Sequence, residues 1–402
     1  MTQSKANDPA DSNEARLSRR DWIFLPMLAL LTIALILSFA WLIKHMFFSE
    51  TPESWKDCLV LNDPSTGVRG IPNSVCRIKS FESPMVEYRM NNCGHRAGME
   101  CVPKQPGTYR IVMIGSSFAE GARLRREETF AALLPGELSQ KTGQKIELYN
   151  EGMGWGFTHS VALRFNEVLA AKPDMILWIL TPVDILSAST VSVERGAYTS
   201  RMEQRLAGHP ILVAAYDRLS EARNMLTEYA SGNKELLQHF LYKSQSLYLS
   251  AYLKNDNEAE AEFLRVESSK TLQSDLQQAE MDAESIEGQA KASGIPLVAV
   301  LLPNRAQAAM IAQGEWPAGY DPYKLNNELR AIIVRHGGIY IDVLPDFRTM
   351  PDFDKHYLPV DGHPDAKGHA IIAHLLAREL TSGTVPVLKA AAQPQASSAQ
   401  ER

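Results

Sequence analysis

The sequence lacks most of what nucleic-acid, nucleotide, metal and fibrous proteins depend on. Its 402 residues carry 41 Lys+Arg against 47 Asp+Glu, a net charge of −6. No basic surplus is present to neutralise phosphates, so no nucleic-acid partner is expected. No Gly-Lys-Ser/Thr phosphate loop occurs. Cysteine is scarce, at four residues, and no two stand as Cys-x-x-Cys. A zinc site built from these cysteines is therefore disfavoured. No internal repeat appears, and 24 Gly with 22 Pro is too little for a collagen-like or wholly disordered chain. What remains, at 45% hydrophobic and 22% charged, is ordinary globular material for one large domain or two modest ones. Enzyme and binding module both stay open.

Charge is also missing from one long stretch. From Trp22 to Ile43 not one residue is charged, and a helix of that length covers about 33 Å, enough for a bilayer core. Trp22 and Trp41 stand near its ends, where indoles favour the headgroup level. Arg16, Arg19 and Arg20 flank the N-terminal side and only Lys44 follows closely on the other. This bias predicts a cytoplasmic tail over 1–21, a transmembrane helix over 22–43 and export of everything after Phe48. The run is long for a cleaved signal peptide, and no Ala-x-Ala-like site follows it. The expected location is the inner (cytoplasmic) membrane, single-pass, with the remainder periplasmic and the bilayer as a partner.

Cys58, Cys76, Cys93 and Cys101 all lie just past that segment. An even count in an exported region predicts two disulfides, with three pairings open. They would staple a loop-rich or β-rich lead-in over 49–107, where Pro, Gly and Asn are frequent and apolar runs short.

Beyond residue 107 the pattern changes. Tyr109–Ile114, Lys145–Tyr149, Met175–Leu180, Ile295–Leu302 and Gly338–Asp342 are short apolar runs, and helical spacing separates them at Thr129–Lys141 and Ser160–Ala171. Buried strands alternating with helices predict an α/β domain with a parallel five-stranded sheet over 108–382. Between the third and fourth strands, about 186–292, a helical insertion is expected, with helical segments at Ile211–Ala230 and Leu236–Lys254. Its acidic run, Glu258–Ala292 with Glu258, Glu260, Glu262 and Glu267, is a solvated helix face. The Pro/Ala/Gln/Ser-rich tail, 383–402, is expected to be disordered.

Ligands of open α/β sheets gather where strands end, and three loops there carry chemistry. The first is Met113-Ile-Gly-Ser-Ser-Phe-Ala-Glu-Gly121, which presents a serine at a strand end. It is not the Gly-x-Ser-x-Gly elbow, because Ala119 stands where the second glycine belongs. The second is Asn150-Glu-Gly-Met-Gly-Trp-Gly156, whose glycines let the backbone approach something closely. The third is Tyr357-Leu-Pro-Val-Asp-Gly-His-Pro-Asp365. There Asp361 and His363, separated by one glycine, can pair so that the carboxylate fixes the imidazole tautomer and leaves the other nitrogen for a nucleophile. His369 and His374 fall in the helix that follows and are packing or surface residues. A His363/His369 metal site lacks the usual ligand spacing, so no metal is expected.

Together, and in this order, the loops resemble the SGNH (GDSL-type) hydrolase superfamily, membrane-anchored bacterial type, over roughly residues 85–382. Gly115-Ser116-Ser117-Phe118 with Gly121 resembles the family's Gly-Asp-Ser-Phe…Gly block, Asn150-Glu151-Gly152 its second block, and Asp361-Gly362-His363-Pro364 its last. Asn92-Cys93-Gly94-His95-Arg96 is similar to the Asn-x-x-x-Arg lead-in of some bacterial members. The resemblance implies a flavodoxin-like three-layer α/β sandwich with Ser117 as nucleophile, His363 as general base and Asp361 orienting it. It also implies an oxyanion hole made by the N–H groups of Ser117 and Gly152. Asn150, Trp155 and Thr181 become candidate substrate contacts, and Trp155 or Phe118 could stack on a sugar.

Two positions depart from the pattern. Ser116 replaces the aspartate of Gly-Asp-Ser, and Pro182-Val183-Asp184 replaces Gly-Asn-Asp, so Val183 brings hydrocarbon where an asparagine donor belongs. The implied activity is hydrolysis of O-acyl, chiefly O-acetyl, esters on an envelope or secreted polysaccharide or a lipid, without cofactor. Two rival readings remain. One is acyl transfer to a polysaccharide hydroxyl with the same triad, alongside envelope polysaccharide machinery. The other is a degenerate fold that binds polysaccharide without turnover.

Overall fold

In the computed structural model, which describes residues 21–47, 55–63, 67–80, 82–185, 234–254, 261–385 and 388, the five apolar runs pair as one parallel sheet. The chain divides into two units, Met1–Thr51 and Pro52–Arg402. The first contains helix α1 (Asp21–Phe47). Its described side chains, 23–39 and 41–42, are uncharged and exposed. Among the described residues no helix is long and apolar enough to cross a membrane.

The second unit starts with the lead-in, two antiparallel hairpins: β1 (Leu59–Asp63) with β2 (Gly67–Gly70), and β3 (Val75–Ile78) with β4 (Val86–Arg89). So short a region has little apolar surface to bury. Its small core of Leu59, Val68, Ile78, Val86 and Tyr88 is built around the Cys58–Cys76 bridge. That bridge closes 18 residues of chain, a loop whose closure is worth about 3 kcal/mol. The second bridge is Cys93–Cys101. All four cysteines are therefore expected to resist alkylation in native protein until it is reduced. Four reactive thiols in native protein would contradict the pairing.

The sheet consists of β5 (Thr108–Gly115), β6 (Lys145–Asn150), β7 (Met175–Leu180), β8 (Leu297–Leu301) and β9 (Ile339–Ile341), in the order β6-β5-β7-β8-β9. Every pairing is parallel, and this is the flavodoxin-like order. Every residue of β7 and β8 is buried, as a strand covered by helices on both faces must be. Helix α3 (Phe130–Thr142) starts at Thr129, whose hydroxyl caps it by accepting the Ala132 N–H. The helix expected over 160–171 is instead two short ones, α4 (Thr158–Leu163) and α5 (Phe165–Ala170), broken at Arg164. Arg164 turns inward, 2% exposed, and donates to the Glu151 carbonyl.

Of the expected insertion, Ile211–Ala230 lies outside the described residues. A helical stretch at 234–241 and helix α6 (Gln245–Lys254) together cover most of Leu236–Lys254. Of the acidic run, Glu258 and Glu260 lie outside the described residues, Glu262 and Glu267 precede the helix, and the remainder forms α7 (Lys270–Ala292), which is less solvated than expected. Asp275, Asp282 and Glu287 are buried on it, and Asp282 takes hydrogen bonds from Thr158 and His159 at the start of α4. The last helices are α8 (Arg305–Gln313), α9 (Lys324–His336) and α10 (Ala366–Leu380). Packing continues beyond Ser382: Val385 and Leu388 are fully buried in the main core, while 389–402 lies outside the described residues.

Candidate active site

The order of the sheet reverses between β5 and β7, and the loops leaving those two strands face one cavity of about 670 Å³. That crevice, outside the carboxyl ends of the strands, is where such sheets bind ligands. Ser117 begins the four-residue helix α2 (Ser117–Glu120) directly after β5. Gly121 ends it in the left-handed region, at φ 76°, where a side chain would be strained. From the opposite end of the chain, the turn before α10 brings in Asp361 and His363.

The three side chains meet in sequence. The Ser117 hydroxyl lies 2.7 Å from His363 Nε2, and His363 Nδ1 lies 2.5 Å from Asp361 Oδ1. The second oxygen of Asp361 accepts from Arg123 Nε at 3.0 Å. Burial pushes the Asp361 carboxyl up, but His363 and Arg123 outweigh it and hold the group well below the usual carboxylate range. Asp361 is thus a fixed negative charge that orients the imidazole.

Ser116 points elsewhere. It is buried, and its hydroxyl bonds the Asp184 carboxylate, which also accepts the N–H and the hydroxyl of Thr181, both at 2.6 Å. Burial pushes Asp184 up to about 6, against the pull of these hydrogen bonds. Thr181 reaches the cavity wall, but its hydroxyl proton is committed and cannot replace the donor missing at Val183. Val183 itself is 47% exposed and lines the cavity.

Two expected roles need correction. The Gly152 N–H does not face a carbonyl; it donates to Asn150 Oδ1 at 2.9 Å. Asn150 is not a substrate contact, being buried with its Nδ2 donating to the Ala119 carbonyl. Neither residue lines the cavity. Asn150 clamps the second loop to helix α2, and glycine is needed at 152 because a Cβ there would lie 2.5 Å from Ala119 Cβ. What the Gly-rich loop approaches closely is helix α2. Of the two expected oxyanion donors, only the Ser117 N–H remains, in a first helical turn whose N–H groups have no intrahelical partner.

His369 is a packing residue, as its place in a helix suggests. It is buried, stacks on Phe130, and accepts the Phe130 N–H on Nδ1 at 3.0 Å. Burial, then repulsion from His363 and Arg96, pushes it down to about 3, so it stays neutral. His374 is exposed beside Glu137.

Sequence reasoning misses three groups. Arg123, in left-handed backbone at φ 69°, joins Asp361 across 238 residues of chain. Glu120, buried in the cavity wall, is raised by burial against the pull of Arg96, the Gly154 N–H, His363 and Arg123. Tyr88 accepts the Arg123 N–H at 2.9 Å. The lead-in match has a use: Arg96 donates to the carbonyls of Glu120, Gly121 and Leu124 and lies 3.7 Å over the Tyr88 ring, holding the turn after Ser117.

Aromatic side chains form much of the remaining cavity wall. Trp55 of the lead-in packs against Trp155 at a tilt of 44°, ring centroids 5.1 Å apart, while Phe157, Tyr242, Tyr248 and Phe263 contribute from elsewhere.

No family model and no curated protein matches the chain. Among solved structures it is similar to a catalytic variant of Axe2, an acetylxylan esterase from Geobacillus stearothermophilus, at 13% identity and TM-score 0.38 over 68% of this chain and 94% of that one. It is also similar to a lipase/acylhydrolase from Enterococcus faecalis (13%, TM-score 0.37, 68% and 95%). A third is a putative lipolytic protein of the G-D-S-L family from Desulfitobacterium hafniense (13%, TM-score 0.31, 67% and 99%).

Proposed function

We propose that the chain is a serine ester hydrolase of SGNH type acting on O-acyl esters of a carbohydrate or lipid. The observation that carries this reading is the continuous hydrogen-bond chain Ser117–His363–Asp361 at the wall of a cavity, at the switch point of a flavodoxin-like sheet. The Ser117 hydroxyl donates to His363 Nε2, the arrangement a general base needs. Ser117 Oγ attacks the ester carbonyl as His363 takes its proton, and His363 then protonates the departing alkoxide as the acyl C–O bond breaks. Water repeats the cycle on the acyl-enzyme, releasing the acid and restoring Ser117. The exposed indole of Trp155 in the cavity wall suits stacking on a sugar ring, and the apolar wall suits an acyl chain or lipid.

The uncharged run over 22–43, its arginine flank and the two disulfides support a single-pass anchor with the hydrolase unit on the periplasmic side. Free acid as the product is the mark of hydrolysis. Recovery of the acyl group on an added oligosaccharide instead would assign acyl transfer.

The oxyanion hole supplies a sharper test. With Gly152 and Thr181 both committed, Val183→Asn adds a donor beside a hole that has few. Because that contact strengthens mainly in the transition state, kcat on p-nitrophenyl acetate should rise by about tenfold with KM little changed. No rise, or a fall, would mean that another group already fills the hole. No turnover in either protein would remove the esterase reading.

A further inference from the structure

Glu82 is a buried charge that the triad chemistry leaves unused. It lies in the lead-in between β3 and β4, with its side chain only 2% exposed. Its Oε2 accepts the N–H groups of Val360 and Asp361, at 2.9 and 2.8 Å, across nearly the whole length of the domain. Its Oε1 is bonded to His239 Nδ1 at 2.6 Å. Two consecutive amides of the loop that carries the acid and the base therefore converge on one oxygen from a separate, disulfide-stapled region.

The loop needs such a hold. Its own hydrogen bonds, Leu358 N–H to the His363 carbonyl and Gly362 N–H to the Leu358 carbonyl, shape the turn but do not tie it to the rest of the molecule. Arg305 grips one side through the Pro359 carbonyl at 2.8 Å, and Glu82 grips the next two residues. Asp361 is then located by its backbone through Glu82 and by its carboxylate through Arg123 and His363.

We propose that Glu82 is the positioning residue of the acid–base loop, fixing the backbone of Val360 and Asp361 so that Asp361 meets His363 and His363 meets Ser117. The lead-in is thereby part of the catalytic unit. This rests on the triad chemistry proposed above.

The role depends on acceptor geometry more than on charge. A glutamine can turn its carbonyl oxygen to both amides and its NH2 to His239 Nδ1, whose tautomer can accept. Alanine can do neither. The test follows the rate at which a fluorophosphonate labels Ser117, together with kcat and KM on p-nitrophenyl acetate, in the full chain. A misplacement of the base by about 1 Å costs on the order of 10²-fold. Glu82→Ala should therefore slow both labelling and kcat by about that factor, with KM little changed, and Glu82→Gln should recover most of the loss. In the wild type, the Val360 and Asp361 amides should be protected from hydrogen exchange, which decides the matter even if Glu82→Ala does not fold.

Labelling of Glu82→Ala at the wild-type rate would overturn the proposal. So would Gln and Ala variants equally slow and equally destabilised, or unprotected amides at 360 and 361. In each of these cases a labelled wild type leaves the esterase reading standing, whereas a wild type that neither labels nor turns over removes both.

Discussion

Ser117→Ala is expected to lower ester turnover by about 10⁴-fold or more, with His363→Ala equally damaging and the two together no worse than either alone. The reason is the shared proton. Ser117 Oγ and His363 Nε2 are 2.7 Å apart, so neither group can do its part once the other is gone, and their losses do not add. Ser116→Ala should behave differently although it is the neighbouring residue. Its hydroxyl serves the buried Asp184 network and not His363, so a substantial part of the activity should remain. Steady-state rates on one acetyl ester for the wild type and these four variants check this. Comparable activity in the Ser117, His363 and Ser116 variants would place the chemistry at another site.

Asp361→Asn should cost about 10⁴-fold without disturbing the fold. In the wild type the two carboxylate oxygens each accept, one from His363 Nδ1 and the other from Arg123 Nε. Asparagine has one acceptor and one donor. If its oxygen faces His363, its NH2 confronts the Arg123 guanidinium, donor against donor, in a pocket that leaves the side chain only 15% exposed. If it faces the other way, the NH2 donates to Nδ1, the imidazole proton moves to Nε2, and the ring can no longer accept from Ser117. Arg123 thus drives the wrong tautomer. Adding Arg123→Met to Asp361→Asn removes the competing donor and should recover part of the rate, although Arg123→Met alone is harmful. A double-mutant cycle on kcat measures that coupling, and strict additivity would contradict it.

The parts of this molecule visible in its sequence are those with local causes. A parallel strand buried on both faces must be a continuous apolar run, so Met175–Leu180 appears at its observed limits and the other four strands within a few residues. Asp361 and His363 are two residues apart, and their pairing needs only a tight turn. Loop two misleads although its signal is also local. An asparagine side chain readily accepts the N–H two residues on, and Asn150 does so with Gly152, which removes the expected oxyanion donor. The contacts of Arg123 and Glu82 with the acid–base loop have no local cause to betray them. They join positions 238 and 279 residues apart, and no periodicity or motif encodes a single long-range hydrogen bond. Arg164, whose inward turn splits one expected helix into two, belongs to the same class.

The central claim is that Ser117, activated by His363, forms a covalent acyl intermediate. Reaction of the full chain with a fluorophosphonate, followed by peptide mapping, tests it most directly. One modified residue, Ser117, is expected, with labelling abolished by Ser117→Ala and strongly slowed by His363→Ala. Labelling that survives Ser117→Ala, or an unmodified wild type, would contradict it.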